Sequence, residues 1–422
     1  MQEGQTHKFT IEGLGSAGDG YSEIGKIRVY IPMTLPSEVV NAKIISQKGE
    51  RWLAEVISWE IKSSERQNPP CLHFSNCGGC SLQHLDYNSY KDLLIKRVEH
   101  SLKAQGLQGL KVSHFESVSI GNRRRIRLSG FNAGKQIALG YRSKRSHKIV
   151  DIKKCLLATN VLACLIKPIR DLLFKILEAK EFCQISLCDT ASGVDMLIHK
   201  NLNNSITTIE TLVDFAHKND LARLSIEDST GTPDTIIERK KPIIDYWGMP
   251  VTYPSGSFIQ PTANADVALS VWVKNWLINS SRVIDLYSGL GGLTSLLAYN
   301  GSHVRAVEIN NYSINALKFA ANKAQLPITT EKRDLKRNPY TSSELKIFDA
   351  LVFDPPFSGA KSQAEQIAES QIPLVVGISC NPASFARDTA ILLNNGYSLS
   401  ELKVIDQFYY SENIEIAALF KF

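Results

Sequence analysis

Short runs of alternating apolar and polar residues, separated by glycines, fill the first part of the chain. A period of two residues is typical of β-strands with one buried face. The runs lie at Phe9–Ile11, Ile27–Ile31, Glu38–Ile45 and Trp52–Trp59. Several short strands in so short a segment predict a small antiparallel β-barrel over residues 1–66.

Residues 67–250 mix helical and strand-like periodicity, which predicts an α+β domain. Apolar residues recur at helical spacing within Tyr87–Gln105 and Leu157–Ala179. Strand-like runs lie at Ile126–Tyr141, His147–Ile152, Ile185–Ile198 and Ser205–Thr211.

Residues 251–422 alternate strand-like and helical segments, which predicts an α/β domain built on a mostly parallel sheet. Such sheets bind ligands at the carboxyl ends of their strands. The apolar strand Arg282–Leu286 leads there into a glycine-rich loop, Tyr287–Gly292, where a ligand can approach the backbone closely. Glu308 ends the next strand and is placed to hold ribose hydroxyls. Asp334 is placed to reach an adenine amino group.

The spacing of the glycines distinguishes between two kinds of cofactor-binding loop. A dinucleotide site usually has G-x-G-x-x-G, whereas the glycines here fall as G-x-G-G. The loop instead resembles motif I of the class I (Rossmann-like) methyltransferases, whose ligand is S-adenosylmethionine. That resemblance implies that Tyr287, Gly289 and Gly292 contact this cofactor, together with Glu308 and Asp334.

The composition is that of a folded globular protein and excludes a disordered or fibrous chain. Of 422 residues, 43% are hydrophobic and 21% are charged. No run of about 18 apolar residues occurs, so we expect no membrane span. The first residues lack the pattern of a signal peptide. We therefore expect a cytoplasmic protein whose cysteines stay reduced.

Basic residues are concentrated in one segment of the chain. Lys111–Lys154 holds 12 Lys and Arg residues against 2 Asp and Glu residues, although the whole chain has a net charge of only +6. Such a patch is typical of a surface that binds a polyanion, and a merely solvated surface is the alternative. Arg123, Arg125 and Arg127 share one face of a predicted strand and would contact RNA phosphates.

An acidic residue follows the buried strand Ala350–Val352. Asp354 begins the sequence Asp-Pro-Pro-Phe, whose prolines make a rigid turn and place the carboxylate at the ligand face. This motif resembles the signature of adenine- or amine-directed methyltransferases. On its own it leaves the methylated atom open.

A cysteine follows the next strand, Pro373–Ile378. Cysteines at such positions are most often buried packing, but Cys380 lies at the edge that carries the cofactor loop, where a thiol can be activated. Methylation at carbon 5 of uracil needs a thiolate, because its addition to carbon 6 makes carbon 5 nucleophilic. It also needs a general base that removes the proton from carbon 5. An amine-directed enzyme needs no covalent step.

Two C-terminal motifs resemble the TRAM-containing RNA 5-methyluridine methyltransferase family. Ser-Cys-Asn-Pro at residues 379–382 is followed by Ala-Arg-Asp at residues 386–388. Residues 406–415 match the family's Asp-x-Phe-Pro-x-Thr-x-His-x-Glu in register. The resemblance covers nearly the whole chain, and it implies that Cys380 is the nucleophile and Glu415 the general base.

The same resemblance implies further contact residues, and the sequence differs from the family pattern at some positions. Phe258-Ile259-Gln260 matches the family's Phe-x-Gln motif, which implies that Gln260 and Asp354 contact the cofactor and that Phe258 contacts RNA. Departures from the family pattern occur at four positions, Gly292, Phe357, Tyr409 and Asn413.

Three cysteines lie close together in the middle region. Cys71, Cys77 and Cys80 have the spacing C-x5-C-x2-C around Gly78-Gly79, and Cys155 follows 75 positions later. Four thiolates suit a tetrahedral zinc or an iron–sulfur cluster, and unrelated core thiols are the alternative. The spacing matches the family's [4Fe–4S] motif, so the resemblance implies a cluster that holds an RNA-positioning domain.

The resemblance implies three domains: an N-terminal OB-like TRAM barrel at 1–66, a central α+β iron–sulfur domain at 67–250, and a class I methyltransferase domain at 251–422. It implies methyl transfer from S-adenosylmethionine to carbon 5 of a uridine in structured RNA, and the cysteine motif favours 23S ribosomal RNA. The alternatives are a tRNA uracil-C5 methyltransferase, an amine-directed nucleic-acid methyltransferase and a non-catalytic RNA-binding homologue. We expect a monomer that binds no membrane.

Overall fold

The structure is a computed structural model that describes residues 2–25, 27–144, 146–202 and 205–422. Contacts group the chain into two units. The small unit comprises Met1–Arg97, Arg142–Lys148 and Phe408–Asn413, and the large unit comprises Val98–Tyr141, Ile149–Gln407 and Ile414–Phe422. The division into domains at residues 66 and 250 stays a prediction.

A six-stranded sheet opens the small unit. Its strands are β1 (Thr6–Thr10), β2 (Gly13–Leu14), β3 (Gly20–Ile24), β4 (Ile27–Ile31), β5 (Val39–Lys48) and β6 (Arg51–Ile61). They pair in the order β1-β5-β6-β4-β3-β2, and alternate residues such as Phe9, Val29 and Val40 form its core. The pairing is antiparallel except between β4 and β6, which are parallel, so the sheet is mixed. Closure into a TRAM barrel stays a prediction.

The helix predicted over Tyr87–Gln105 is confirmed as α1 (Tyr87–Ala104). The strand-like runs that follow it form a seven-stranded sheet with the order β10-β9-β8-β11-β12-β13-β14. Its strands are β8 (Arg125–Asn132), β9 (Ile137–Arg142), β10 (Ile149–Asp151), β11 (Phe182–Thr190), β12 (Gly193–His199), β13 (Leu221–Glu227) and β14 (Pro233–Glu238). Side chains of this sheet and of α2 (Asn160–Cys164), α3 (Ile166–Ile176) and α4 (Ile206–Lys218) share one apolar core.

The predicted strand Ser205–Thr211 is wrong, because these residues begin helix α4. The run of β-branched residues suggested a strand. Ser205 is instead the helix N-cap, and its side chain accepts a hydrogen bond from the Thr208 amide at 3.1 Å. Leu212 and Phe215 then bury the helix against the sheet, and this packing outweighs the local preference.

The doubly wound α/β arrangement predicted for the last third is confirmed. A short hairpin, β15 (Ile243–Tyr246) and β16 (Met249–Thr252), precedes it. The strands of this part are β17 (Arg282–Leu286), β18 (His303–Glu308), β19 (Ile328–Lys332), β20 (Ala350–Phe353), β21 (Leu374–Ser379), β22 (Ser398–Asp406) and β23 (Glu415–Lys421). The helices are α5 (Ala263–Trp276), α6 (Gly292–Tyr299), α7 (Asn311–Lys323), α8 (Ser342–Leu345), α9 (Lys361–Ser370) and α10 (Pro382–Asn394).

The sheet of this part has the order β19-β18-β17-β20-β21-β23-β22-β7. Strand β7 (His114–Ser117) pairs in parallel with β22, although it lies far earlier in the sequence. Strands β17 to β21 are parallel, whereas β23 runs antiparallel to both β21 and β22. The neighbours of β17 are β18 on one side and β20 on the other, which makes its carboxyl end the expected ligand crevice.

Among the helices that the structure describes, none is both long enough and apolar enough to cross a membrane.

Candidate active site

The glycine loop at the end of β17 turns with three residues in the left-handed region. Tyr287, Gly289 and Gly291 have φ angles of 65°, 55° and 87°. A Cβ on Gly291 would lie 2.4 Å from Leu317 Cδ1, so the turn into α6 requires glycine there. The Gly289 amide donates to Glu308 Oε2 at 3.0 Å. The structure therefore brings the predicted loop and the predicted ribose-binding carboxylate together.

The second glycine of the Gly-Gly pair has no room for a side chain. A Cβ on Gly292 would lie 2.9 Å from Asp266 Oδ1 and 3.1 Å from Tyr246 Cε1. These neighbours fill the space beside the Gly292 Cα atom. The departure at Gly292 is thus matched by local packing.

Asp285, near the end of β17, is a buried acid that the sequence analysis did not select. It accepts a hydrogen bond from Thr294 Oγ1 at 2.5 Å and is 1% exposed. Burial, followed by the neighbouring charge of Glu308, raises the pKa of this carboxyl to about 7. Its signal in the sequence was an acidic residue inside an otherwise apolar strand.

Asp334 lies just beyond β19, where it closes a turn. Its Oδ1 accepts the amides of Lys336 and Arg337 at 3.1 and 3.3 Å, and its Oδ2 is 3.6 Å from Arg337 Nε. The side chain is held at the expected strand end. Its contact with adenine stays a prediction.

Four hydrogen-bonded side chains connect the end of β20 to the start of β23. Gln260 Nε2 donates to Asp354 Oδ2 at 3.3 Å, and Gln407 Nε2 donates to Gln260 Oε1 at 3.1 Å. Gln407 Nε2 also donates to Glu415 Oε2. The predicted residues Gln260, Asp354 and Glu415 are therefore brought together, and Gln407 joins them. Gln407 could not be selected from the sequence, because it fills an unspecified position of the C-terminal motif.

Cys380 and Glu415 meet through the strand register. Ser379 pairs with Ile416 in the antiparallel ladder of β21 and β23. Cys380 is the first residue after β21 and Glu415 the first residue of β23, so both adjoin this last pair of the ladder, and the charge of Glu415 acts on the Cys380 thiol. The predicted nucleophile and base are thus neighbours. Glu415 is 3% exposed and Cys380 is half-buried.

Burial and mutual repulsion disfavour the charged forms of this group of acids. Burial and the charge of Asp354 raise the pKa of Glu415 well above its usual range. Burial, followed by the charges of Asp285 and Asp266, raises the pKa of Asp354 to about 7. Burial, followed by the charges of Glu415 and Asp354, raises the pKa of the Cys380 thiol to about 12. A cation entering the site would stabilise the ionised carboxylates.

The turn that carries Cys380 is tied to the Asp-Pro-Pro-Phe loop by backbone contacts. Asn381 Nδ2 and Ser384 Oγ both donate to the Phe357 carbonyl oxygen, at 2.9 and 3.2 Å. Asn381 also caps α10 through the Ala383 amide. Because the Phe357 side chain is 62% exposed, the departure at this position leaves these contacts intact.

The four arginines at positions 123, 124, 125 and 127 have different surroundings. Arg124 Nη2 donates to Asp266 Oδ2 at 2.6 Å, and its Nε donates to the Gln260 carbonyl oxygen at 3.1 Å. Arg124 therefore supports the Gln260 backbone. Arg123 precedes β8 and donates through Nε to the Arg125 carbonyl oxygen. The Arg125 guanidinium lies 4.5 Å from the centre of the Phe258 ring.

A polar relay fixes the exposed Arg127, which shares a face of β8 with Arg125. Arg127 Nε donates to Ser186 Oγ at 3.0 Å. Ser186 Oγ lies 2.7 Å from His199 Nε2, and His199 Nδ1 lies 2.5 Å from Glu227 Oε1. We call Arg125, Arg127, Phe258, Ser186 and His199 the arginine face.

The four cysteines of the predicted cluster motif are divided between the two units of the structure. Cys71, Cys77 and Cys80 belong to the small unit and Cys155 to the large unit. The Gly79 amide donates to Cys77 Sγ at 3.4 Å. Within the described ranges, no group of three or more His, Cys, Asp or Glu residues is placed to hold a metal ion. The predicted [4Fe–4S] cluster stays a prediction.

Comparison with known proteins agrees with this geometry. The family model described as tRNA (Uracil-5-)-methyltransferase matches residues 89–421. An uncharacterized RNA methyltransferase of Agrobacterium fabrum is 34% identical over 424 residues, which cover 98% of this chain and 99% of that relative. The 23S rRNA (uracil(1939)-C(5))-methyltransferase RlmD of Shewanella sp. is 30% identical over 430 residues, with coverages of 98% and 95%.

The fold is shared with a solved structure as well. The Pyrococcus abyssi tRNA (uracil-54, C5)-methyltransferase, in complex with S-adenosyl-L-homocysteine, is similar to this chain with a TM-score of 0.76. The match covers 98% of this chain and 100% of that one at 20% identity. The chain therefore belongs to the tRNA (Uracil-5-)-methyltransferase family and is an RNA methyltransferase.

Proposed function

We propose that this enzyme methylates carbon 5 of a uridine in 23S ribosomal RNA through a covalent adduct with Cys380. The observation that carries the proposal is that Cys380 directly follows, and the buried Glu415 directly precedes, the paired residues Ser379 and Ile416, so that the charge of Glu415 acts on the Cys380 thiol. A thiol and a carboxyl group side by side are what a uracil-C5 methyltransferase needs, and an amine-directed enzyme has no use for the pair.

In the proposed reaction, Cys380 Sγ bonds to carbon 6 of the uracil ring and carbon 5 becomes nucleophilic. Carbon 5 would take up the methyl group of S-adenosylmethionine as the sulfur–methyl bond breaks, with S-adenosylhomocysteine as the leaving group. Glu415 then accepts the proton from carbon 5, and the carbon–sulfur bond breaks, which restores the ring double bond and releases the thiolate. Because burial and the neighbouring acids raise the pKa of the Cys380 thiol to about 12, the thiol must give up its proton to water or to a carboxylate before its sulfur attacks carbon 6.

We assign the cofactor to the carboxyl end of β17. The loop residues Tyr287, Gly289 and Gly292 would pass along it, and Glu308 and Asp334 would hold its ribose and adenine. Gln260 and Asp354 would face its methionine part. The acids around this end favour a positively charged sulfonium over a neutral thioether, because an added cation relieves their repulsion.

RNA is assigned to the arginine face and to Arg123. Arg127 keeps its two terminal nitrogens for a phosphate, since its Nε is occupied by Ser186. The exposed Phe258 ring offers a base a stacking surface beside Arg125. The 30% identity to the Shewanella 23S rRNA enzyme favours ribosomal RNA. The matching tRNA family model makes tRNA the alternative.

The iron–sulfur cluster remains an expectation from the cysteine spacing alone. Methyl transfer is redox-neutral, and no step of the proposed reaction passes through Cys71, Cys77, Cys80 or Cys155. The proposed TRAM role of residues 1–66 likewise rests on the resemblance and on the strand content of that segment.

The test is an RNA fragment that carries 5-fluorouridine at the target position. In this nucleoside, fluorine replaces the carbon 5 hydrogen that must be removed as a proton. The wild-type enzyme with S-adenosylmethionine should therefore remain covalently attached to the RNA on a denaturing gel. Cys380→Ala should give no adduct and no methyl transfer to ordinary RNA, whereas the exposed Cys164→Ala should behave as wild type. Methyl transfer by Cys380→Ala would contradict the mechanism and favour the amine-directed alternative.

A further inference from the structure

Gln407 is the unassigned member of the hydrogen-bonded group around Glu415. Its amide nitrogen donates to Gln260 Oε1 at 3.1 Å and to Glu415 Oε2, so both of its N–H bonds are used. The side chain is 3% exposed. Its orientation is therefore fixed by two acceptors on different segments of the chain.

The same side chain has a feature that stability does not explain. In the described part of the chain, the buried Gln407 Oε1 has no hydrogen-bond partner. An unpaired buried carbonyl costs free energy of folding, and an apolar side chain of similar length would avoid that cost. A polar residue retained under such a cost points to function.

We propose that Gln407 is a positioning residue, which holds Glu415 Oε2 and leaves Oε1 to take the proton from carbon 5 of the substrate. This inference rests on the proposed function. Through Gln260, the same amide connects the base to Asp354, the acid assigned to the cofactor. The base and the cofactor side of the site are thereby held in one hydrogen-bonded line.

The donated hydrogen bond also affects the charge of the base. The groups that face Glu415 are Asp354, Cys380 and Gln407. Burial and Asp354 favour protonated Glu415, whereas an N–H donor favours the carboxylate. Loss of the donor should therefore move ionisation of Glu415 to higher pH, and a base is active only when ionised.

The experiment compares wild type with Gln407→Met, in which methionine keeps the length and removes the donor. The fluorouridine adduct should form at the wild-type level, because it needs Cys380 and methyl transfer but no proton removal. With ordinary uridine RNA, release of the adduct should slow about tenfold, a fraction of what a general base contributes. The acidic limb of the release rate against pH should shift to higher pH.

Two further variants support the comparison. Gln407→Glu is isosteric and should release the adduct more slowly than Gln407→Met, because a second acid disfavours ionised Glu415. Gln366→Met, in which a half-buried amide outside this group is replaced, should release the adduct as wild type does. Gln407→Met removes an unpaired buried carbonyl but also the donor of Gln260 Oε1 and Glu415 Oε2, so the unfolding temperature of each variant is measured and the release rates are compared where all variants are folded.

The outcomes separate this inference from the proposed function. If wild type traps fluorouridine RNA but both Gln407 variants release ordinary RNA at the wild-type rate at every pH, Gln407 has no positioning role and the proposed function stands. If wild type traps nothing, the proposed function fails and the inference fails with it. Equal slowing by Gln366→Met would also overturn the assignment.

Discussion

Two regions of the large unit use charge in opposite ways. At the cofactor end of the parallel sheet, Asp285, Asp354 and Glu415 bond to neutral partners: a threonine and two glutamines. On the arginine face, by contrast, Arg127 is connected through Ser186 and His199 to the carboxylate of Glu227. In the first region these three acids are hydrogen-bonded to uncharged side chains. In the second region a positively charged arginine is connected, through two side chains, to a carboxylate.

The difference indicates what each region is built to receive. Acids that share a buried site gain from a ligand that brings a positive charge or removes a proton, so their protonation states respond to chemistry. A tethered arginine at the surface loses little freedom when it meets a phosphate, so it contributes to binding. Variants should therefore change reaction steps in the first region and RNA affinity in the second.

The largest effect should come from the base. Glu415→Gln should still methylate bound uridine once but release it on the order of 10²–10⁴ times more slowly, because an amide cannot accept the carbon 5 proton. The measurement is the adduct fraction on denaturing gels together with the steady-state rate of labelled methyl transfer. Rapid turnover without any adduct would show that another group removes the proton and would weaken the contrast between the regions.

A smaller effect should follow from pH. Burial and neighbouring acids raise the pKa values of Asp354 and Asp285 to about 7, so negative charge at the site is lost as pH falls through that value. Binding of S-adenosylmethionine should therefore weaken about tenfold between pH 8 and pH 6, by linkage between proton and ligand binding. S-adenosylhomocysteine, which lacks the sulfonium charge, is the control in calorimetry and should change much less. Parallel pH curves for the two ligands would contradict the proposed role of the acids.

The smallest effects should come from the arginine face. Arg127→Ala should weaken RNA binding about fivefold at moderate salt and lower the slope of log affinity against log salt by about 1, as expected for one lost phosphate contact. Ser186→Ala should weaken binding less, because the guanidinium remains but is no longer held. Neither variant should change adduct release. If Arg127→Ala slowed adduct release, the arginine face would also affect a reaction step, and the proposed difference between the two regions would be wrong.

Much of the catalytic end was predictable because it depends on local rules. Parallel strands place their carboxyl ends at one edge of a sheet, so the loop at Tyr287–Gly292, Asp354 and Cys380 were expected to converge. The C-terminal motif located Glu415. The strand register then explains why it is next to Cys380.

Other features depend on contacts between distant segments, which periodicity does not encode. Arg124 reads as one of several equivalent arginines until the structure pairs it with Asp266. Gln407 has no motif of its own, and its role follows from where Gln260 and Glu415 lie. Strand β7 is four residues long and pairs with β22, so its sequence alone gives no sign of the sheet it joins.

Strand β7 also has a consequence for how the chain is made. During synthesis His114–Ser117 leaves the ribosome long before its partner strand β22. The edge strand of the sheet therefore comes from an early segment of the chain, which can pair only after β22 has been made. A fragment starting at residue 251 would leave the hydrogen-bonding edge of β22 uncovered, and uncovered strands recruit other chains. The eight-stranded sheet is therefore complete only in a protein that also contains His114–Ser117.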